Sequence, residues 1–289
     1  MTEEAWTVLR LLRWTTEHFT KKGIETARLD AEVLLAHALG IPRLRLYLDF
    51  EKPVMEEERA RFRTLVKRRA EERVPVAYLT GLREFWSMPL AVTPDVLIPR
   101  PDTETLIEAV LSRVSRERSL RVLDLGTGSG AIALALAKEL PLAELTASDV
   151  SDAAIAVARK NAEALGLDAR IRFAAGDGFG AVPGACFDVI VSNPPYVAEA
   201  EAGSLAPELG HEPPGALFAP GDGTTLLRRF VAEAPSRLAP RGLLAVELAP
   251  AQAEGVTQCL LTAGFEALVA HRDLTGRVRA LSALRPEGG

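Results

Sequence analysis

The residues best suited to do chemistry are Asn193-Pro194-Pro195-Tyr196, which follow the apolar, strand-like run Phe187 to Val191. An Asn before two prolines holds its carbonyl groups in a stiff turn, because proline fixes φ and restricts the residue ahead of it. Such a turn offers acceptors, Asn193 Oδ1 and the Pro194 carbonyl, to an incoming planar NH2 group. An amide or aromatic amine has a delocalised lone pair and is a poor nucleophile. A site that works on one must hold both N–H bonds and align the nitrogen. Tyr196 is placed to pack against the flat group. This chemistry suits delivery of a methyl group to nitrogen; the plain alternative is a rigid turn with no chemical role.

A second constellation is Asp124-Leu125-Gly126-Thr127-Gly128-Ser129-Gly130, between a strand-like run and a helix rich in Ala and Leu. Its glycines let the backbone turn tightly and approach a ligand, and the helix N-terminus offers free N–H groups. The spacing Gly126-x-Gly128-x-x-Ala131 also fits the dinucleotide fingerprint, with Asp149 where a ribose-binding acid belongs. The loop alone therefore suits a nicotinamide cofactor or S-adenosylmethionine equally. Asp149 would accept hydrogen bonds from two ribose hydroxyls, although alone Asp149 would more often be a helix cap, since Ser151-Asp152 follows. Asp177, in Gly176-Asp177-Gly178-Phe179, stands where a loop can meet the exocyclic amine of adenine, or is a plain surface turn. Asn193 to Tyr196 decides between the cofactors, since hydride transfer has no use for that turn.

Positioning these residues requires a sheet. After Thr103 the chain alternates strand and helix, as a parallel sheet with helices on both faces demands. Strands are expected near Arg121 to Leu125, Glu144 to Ser148, Ile171 to Ala174, Phe187 to Val191 and Leu243 to Leu248, with helices from Ala131, Asp152, Leu226 and Ala251. The last two strands, Glu266 to His271 and Val278 to Leu284, are joined by a short turn-rich link, which predicts one antiparallel strand. From Trp6 to about Glu72 the periodicity is helical: Val8, Leu9 and Leu12 share one face, Ala31, Leu34, Leu35 and Ala38 another, with a stop at Gly40-Ile41-Pro42. Between Pro75 and Pro101 a Pro-, Gly- and aromatic-rich texture surrounds Leu90-Ala91-Val92 and Val96-Leu97-Ile98, which reads as a hairpin-like linker. The division expected is 1–74 helical, 75–101 linker and 102–289 catalytic.

Composition narrows the class. At 289 residues, two domains are expected from a prior of ~150 residues each, and 48% hydrophobic residues suffice for a core. The apolar runs are much shorter than the ~20 residues that span a bilayer, and Met1-Thr2-Glu3-Glu4 lacks the features of a signal peptide, so a cytoplasmic location is expected. Cys186 and Cys259 lack metal-site spacing and read as buried free thiols, and no metal is implied. A net charge of −5 argues against charge-driven nucleic-acid binding. The basic run Arg59, Arg61, Arg63, Lys67, Arg68, Arg69 and Arg73 reads as a solvated helix face, or as contact with an acidic or RNA-bound partner. The histidines His18, His37, His211 and His271 are scattered, and none is assigned as a general base.

The chain resembles the PrmC/HemK family, methyltransferases that act on the glutamine amide in the Gly-Gly-Gln loop of peptide chain release factors. The resemblance rests on Tyr78-Leu79-Thr80-Gly81 with Phe85-Trp86, on Leu97-Ile98-Pro99-Arg100-Pro101-Asp102-Thr103-Glu104, on Asp124 to Ala135, and on Ser192 to Tyr196. It implies a Rossmann-like, seven-stranded class I methyltransferase domain after a small all-α substrate-recognition domain and a β-hairpin linker. It implies S-adenosylmethionine as cofactor, surrounded by Gly126, Thr127, Gly128, Ser129 and Gly130. Asp149 would lie on its ribose, Asp177 and Gly178 beside adenine, and Asn193 next to the reacting methyl. It further implies a release factor as partner, with Asn193, Pro194, Pro195 and Tyr196 receiving the glutamine, and no stable nucleic acid or membrane. Many relatives carry Trp at Gly178 and Gly at Ala249, so Phe179 is expected to stand in for the indole. Two rivals remain: a nucleic-acid amino-group methyltransferase with the same turn, and a noncatalytic adaptor that keeps the fold.

Overall fold

The computed structural model describes residues 6–287; Met1 to Glu4, from which no leader was expected, lie outside them. The chain divides into two compact units, Met1–Leu82 with Pro207–His211, and Arg83–Ala206 with Glu212–Gly289.

The first unit is helical. Its helices are α1 (Val8–Lys21), α2 (Ala27–Leu39), α3 (Arg45–Leu48), α4 (Glu56–Glu71) and α5 (Val76–Thr80). Thr7 caps α1 by accepting the Arg10 amide at 3.3 Å, and α2 stops where expected, at Gly40 in the left-handed conformation. Of the expected faces, Val8, Leu12, Ala31, Leu34, Leu35 and Ala38 meet in one core with Phe19, Phe62 and Val66, while Leu9 is only half-buried and outside it. The basic run on α4 is largely consumed within the unit. Arg59 and Arg63 pair with Glu56, Arg61 donates to the Ala38 carbonyl, and Arg69 is buried between Asp30 and Glu208, 2.7 Å from each. Arg73 also reaches Glu208, at 2.8 Å.

The second unit opens on a hairpin of β1 (Leu82–Phe85) and β2 (Met88–Ala91). Trp86 and Ser87 take φ of 50° and 53°, the turn that matches strand twist in a two-residue loop. The Trp86 amide is held by Glu104 at 3.1 Å and its indole by Glu139 at 3.0 Å. The hairpin expected across Leu90 to Ile98 therefore sits earlier. Val96 to Ile98 form no strand, because the Ile98 amide is taken by a Glu212 carboxylate oxygen at 3.1 Å.

The remaining elements are α6 (Glu104–Leu111), β3 (Arg121–Leu125), α7 (Ala131–Glu139), β4 (Glu144–Asp149), α8 (Asp152–Ala164), β5 (Ile171–Ala175), β6 (Phe187–Ser192), β7 (Val197–Ala198), α9 (Pro214–Leu217) and β8 (Phe218–Ala219). They are followed by α10 (Thr225–Glu233), β9 (Leu238–Glu247), α11 (Ala253–Thr262), β10 (Glu266–Arg272) and β11 (Val278–Leu284). Seven strands form one sheet in the order β10-β11-β9-β6-β3-β4-β5. All neighbours are parallel except β11, which runs against β9 and β10, as the short Arg272 to Arg277 link predicts. The strands carry apolar residues on both faces. Leu243 and Ala245 pack with α6 and α7 on one side, Leu244 and Val246 with α10 and α11 on the other. β9 begins five residues ahead of the expected Leu243, passing through Arg241 (φ 59°) in Pro240-Arg241-Gly242, which reads as a turn in the sequence. Cys186 and Cys259 are free but only half-buried, a correction to the expected buried thiols. No described helix is long and apolar enough to cross a membrane.

Candidate active site

The carboxyl ends of β3, β4, β5 and β6 lie side by side, and the strand order reverses between β3 and β6, where an open parallel sheet leaves its ligand crevice. A cavity of about 250 Å³ opens there. Of the expected residues, it is lined by Gly126, Thr127, Gly128, Ser129, Asp149, Asp177, Gly178, Asn193, Pro194 and Pro195. Gly130 and Tyr196 do not reach its wall. Gly130 starts α7 at φ 85°, with the Ala158 side chain 3.1 Å from where a Cβ would stand.

The glycine loop is fixed from below. Gly126 and Thr127 both donate to the Ser148 carbonyl at 2.8 Å, and the Ser129 carbonyl accepts from buried Asn161 at 2.9 Å. Asp124 is fully buried; its Oδ2 accepts the Thr127 hydroxyl at 2.6 Å and the Ala133 amide at 3.1 Å, while Oδ1 has no partner. Burial pushes its carboxyl up to about 7, against the lowering effect of those two bonds. Gly126 and Gly128 adopt φ of 81° and 55° with open space where a Cβ would be. Asp149, at the end of β4, accepts the Gly128 amide on Oδ2 and the Ser151 amide on Oδ1, both at 2.9 Å. Each oxygen keeps a further lone pair for a ligand hydroxyl.

At the adenine end of the expected site, Asp177 is exposed and grips Arg229 at 2.6 and 3.0 Å, which holds its carboxyl below the usual range. Gly178 has φ 53°, and a Cβ there would stand 2.6 Å from Arg229 Nη2. A guanidinium therefore occupies the space beside Gly178. Phe179 does not substitute for an indole: it is buried, edge-on to Phe230 at 6.1 Å, and it is Phe230 that reaches the cavity.

At the opposite end Asn193 donates through Nδ2 to Thr103 Oγ1 at 3.2 Å, and no described group bonds its Oδ1. The turn behind it is tied down. Gln252 donates to the Tyr196 carbonyl at 2.9 Å, Val197 and Ala198 pair with Phe218 and Ala219, and the Tyr196 hydroxyl donates to Glu247 Oε1 at 3.3 Å. Sequence reasoning did not single out Leu97, Pro99, Arg100, Thr103, Phe230, Glu212 or Glu247. The first four lie in the motif that carried the family resemblance, and that was the available signal. Glu212, buried, locks this wall by pairing with Arg100 as well as Ile98; nothing local in the sequence marks it.

The sheet and the cavity at its carboxyl edge define the class I methyltransferase fold. Residues 10–81 match the model of the PrmC N-terminal domain, and 101–222 that of a methyltransferase small domain. Release factor glutamine methyltransferases of Rhodopirellula baltica and Geobacter sulfurreducens are similar at 46% and 45% identity. The first alignment covers 96% of this chain and 96% of that protein, the second 92% and 93%. Among solved structures, the catalytic domain of hMettl16 superposes with a TM-score of 0.58 at 18% identity, over 80% of this chain and 82% of that one, a likeness of fold. The chain belongs to the release factor glutamine methyltransferase family.

Proposed function

We propose that this protein transfers a methyl group from S-adenosylmethionine to the side-chain amide nitrogen of the glutamine in the Gly-Gly-Gln loop of class 1 release factors. The observation that carries this reading is that Asn193, with its Nδ2 already engaged, lines the same cavity as the glycine loop. The cradle fits the cofactor. Gly126 and Gly128 leave open room for a chain to pass, Asp149 has lone pairs for the ribose, and Leu226 and Phe230 offer apolar surface to adenine.

When bound, S-adenosylmethionine supplies an electrophilic sulfonium methyl, which the amide nitrogen takes directly, leaving S-adenosylhomocysteine and a proton. The work of this chain is positional. Asn193 Oδ1 and the Pro194 carbonyl accept the two N–H bonds of the glutamine and aim its nitrogen along the cavity. Alignment of this kind lowers a barrier by ~7–11 kcal/mol. The prolines keep those acceptors from relaxing, and the apolar wall of Leu97, Ile132 and Pro195 excludes water from the region where charge is lost.

The helical unit holds the release factor, so that removing residues 1–72 lowers the rate on the whole protein far more than on a short Gly-Gly-Gln peptide. Equal rates for both enzymes on the whole factor would contradict this role. The enzyme is read as cytoplasmic, with no stable nucleic-acid or membrane partner. Labelled methyl should pass from cofactor to a purified release factor, and not to one whose Gly-Gly-Gln glutamine is replaced by alanine; equal labelling of the two would reject the assignment.

A further inference from the structure

The free N–H groups of a glycine loop are the usual seat for a negatively charged part of a ligand, and in this cavity that seat is mostly taken. Gly126 and Thr127 donate to the Ser148 carbonyl, Gly128 to Asp149 and Gly130 to the Thr127 carbonyl. Among the described residues of the loop, only Ser129 keeps its N–H free. The cavity is further lined by the carboxylates of Asp95, Asp149 and Asp177, which repel an anion, and Arg229 offsets only the last of them. Among the described lining residues, Arg100 alone is positively charged.

Hydrogen bonds place Arg100 at the Asn193 end of the cavity. It leads into the turn Pro101–Thr103, where its carbonyl accepts the Thr103 amide at 3.1 Å, and Thr103 Oγ1 in turn accepts Nδ2 of Asn193 at 3.2 Å. Its side chain is 32% exposed and gives one Nη2 hydrogen to Oε1 of Glu212. Glu212 is buried, and its other oxygen holds the Ile98 amide at 3.1 Å. That contact fixes the guanidinium without using it up. Arginine carries five N–H donors in a planar fork that matches a carboxylate, and the donors not given to Glu212 have no partner among the described residues.

We propose that Arg100, held in place by Glu212, binds the α-carboxylate at the amino-acid end of the cofactor. This rests on the reading of S-adenosylmethionine as that cofactor. The carboxylate is its one anionic group, and a cavity with three carboxylates and a single cation favours one region for it. With Phe230 on adenine and Asp149 on the ribose, an anchor beside Asn193 holds the cofactor from its far end. The sulfur, which lies between ribose and carboxylate, is then kept in register with the catalytic turn.

The test is calorimetry on the full chain with two ligands, S-adenosylhomocysteine and the same thioether with its carboxylate replaced by hydrogen. Arg100→Met keeps an apolar stem and removes the charge, and Arg100→Lys keeps a charge without the fork. Arg100→Met combined with Glu212→Gln leaves no buried carboxylate without its partner and still accepts the Ile98 amide, which covers a single variant that fails to fold. Wild type binds S-adenosylhomocysteine on the order of tenfold to a hundredfold more tightly than the decarboxylated ligand, the range of one hydrogen bond to a charged group. In Arg100→Met and in the double variant the two ligands bind alike, and the decarboxylated one binds no more weakly than it does to wild type. Arg100→Lys keeps part of the preference. A preference undiminished in Arg100→Met would place the carboxylate on Ser129 and the first turn of α7 and overturn the proposal, as would a wild type with no preference at all. A wild type that binds neither ligand rejects the cofactor reading, and this inference with it.

Discussion

Gly128 donates its backbone N–H to Oδ2 of Asp149 at 2.9 Å, so the glycine loop after β3 and the acid at the end of β4 form one hydrogen-bonded unit. On the proposed reading, Asp149→Ala removes a ribose acceptor, and it also frees the loop. A buried polar group left unpaired costs roughly 1–3 kcal/mol, so cofactor affinity should drop about tenfold or more. Calorimetry returning wild-type affinity would remove Asp149 from the cofactor site.

Asn193→Ala should act on the other half of the reaction. Loss of one group that organises charge at the reacting centre costs ~10²–10³ in rate, and cofactor affinity should change little because the glycine loop and Asp149 are left intact. Single-turnover rates near wild type would exclude Asn193 as the amide acceptor.

Gly223 has φ 81°, and a Cβ on it would run into the Tyr196 carbonyl. Gly223→Ala thus combines backbone strain of about 1–2 kcal/mol with displacement of the turn that carries Asn193. Lower thermal stability and a reduced kcat are expected, with cofactor binding preserved. A variant with unchanged kcat would mean that the turn tolerates movement at Tyr196.

Asp124 carries its proton more tightly in the folded chain, about 7, than at its ordinary value of 3.8, because it is buried. Its contribution to stability is complete below 3.8 and is lost as pH rises through about 7. Asp124→Asn cannot titrate. The stability of this variant relative to wild type should therefore climb across that window, as measured by denaturant midpoints; a flat difference would show that Asp124 is ionised in the folded protein throughout.

The parts of this protein legible in its sequence are those that depend on neighbours along the chain. β3 follows from five residues bounded by a charged run and a glycine loop, and β11 runs antiparallel because six residues are too few for a crossover. The stop of α2 at Gly40 is equally local. What stayed hidden depends on distant partners. Thr103 meets Asn193 across 90 positions, and Glu212 meets Ile98 across 114. The hairpin was expected too late for the same reason: Val96-Leu97-Ile98 alternates like a strand, but its amide is claimed by Glu212. Adjacency to Gly178 points to Phe179, whereas the 3.3 Å approach of the Phe230 ring to the Gly178 Cβ position comes from α10 packing on the sheet.

On the proposed reading, the Asn193 turn presents a protein glutamine to the cofactor bound on the glycine loop. Mass spectrometry of a purified release factor, after incubation with enzyme and S-adenosylmethionine, tests it most directly. One added methyl, on the side-chain nitrogen of the Gly-Gly-Gln glutamine and absent with Asn193→Ala, is the result expected. A methyl on any other residue, or none on the factor while oligonucleotides are methylated, would contradict it.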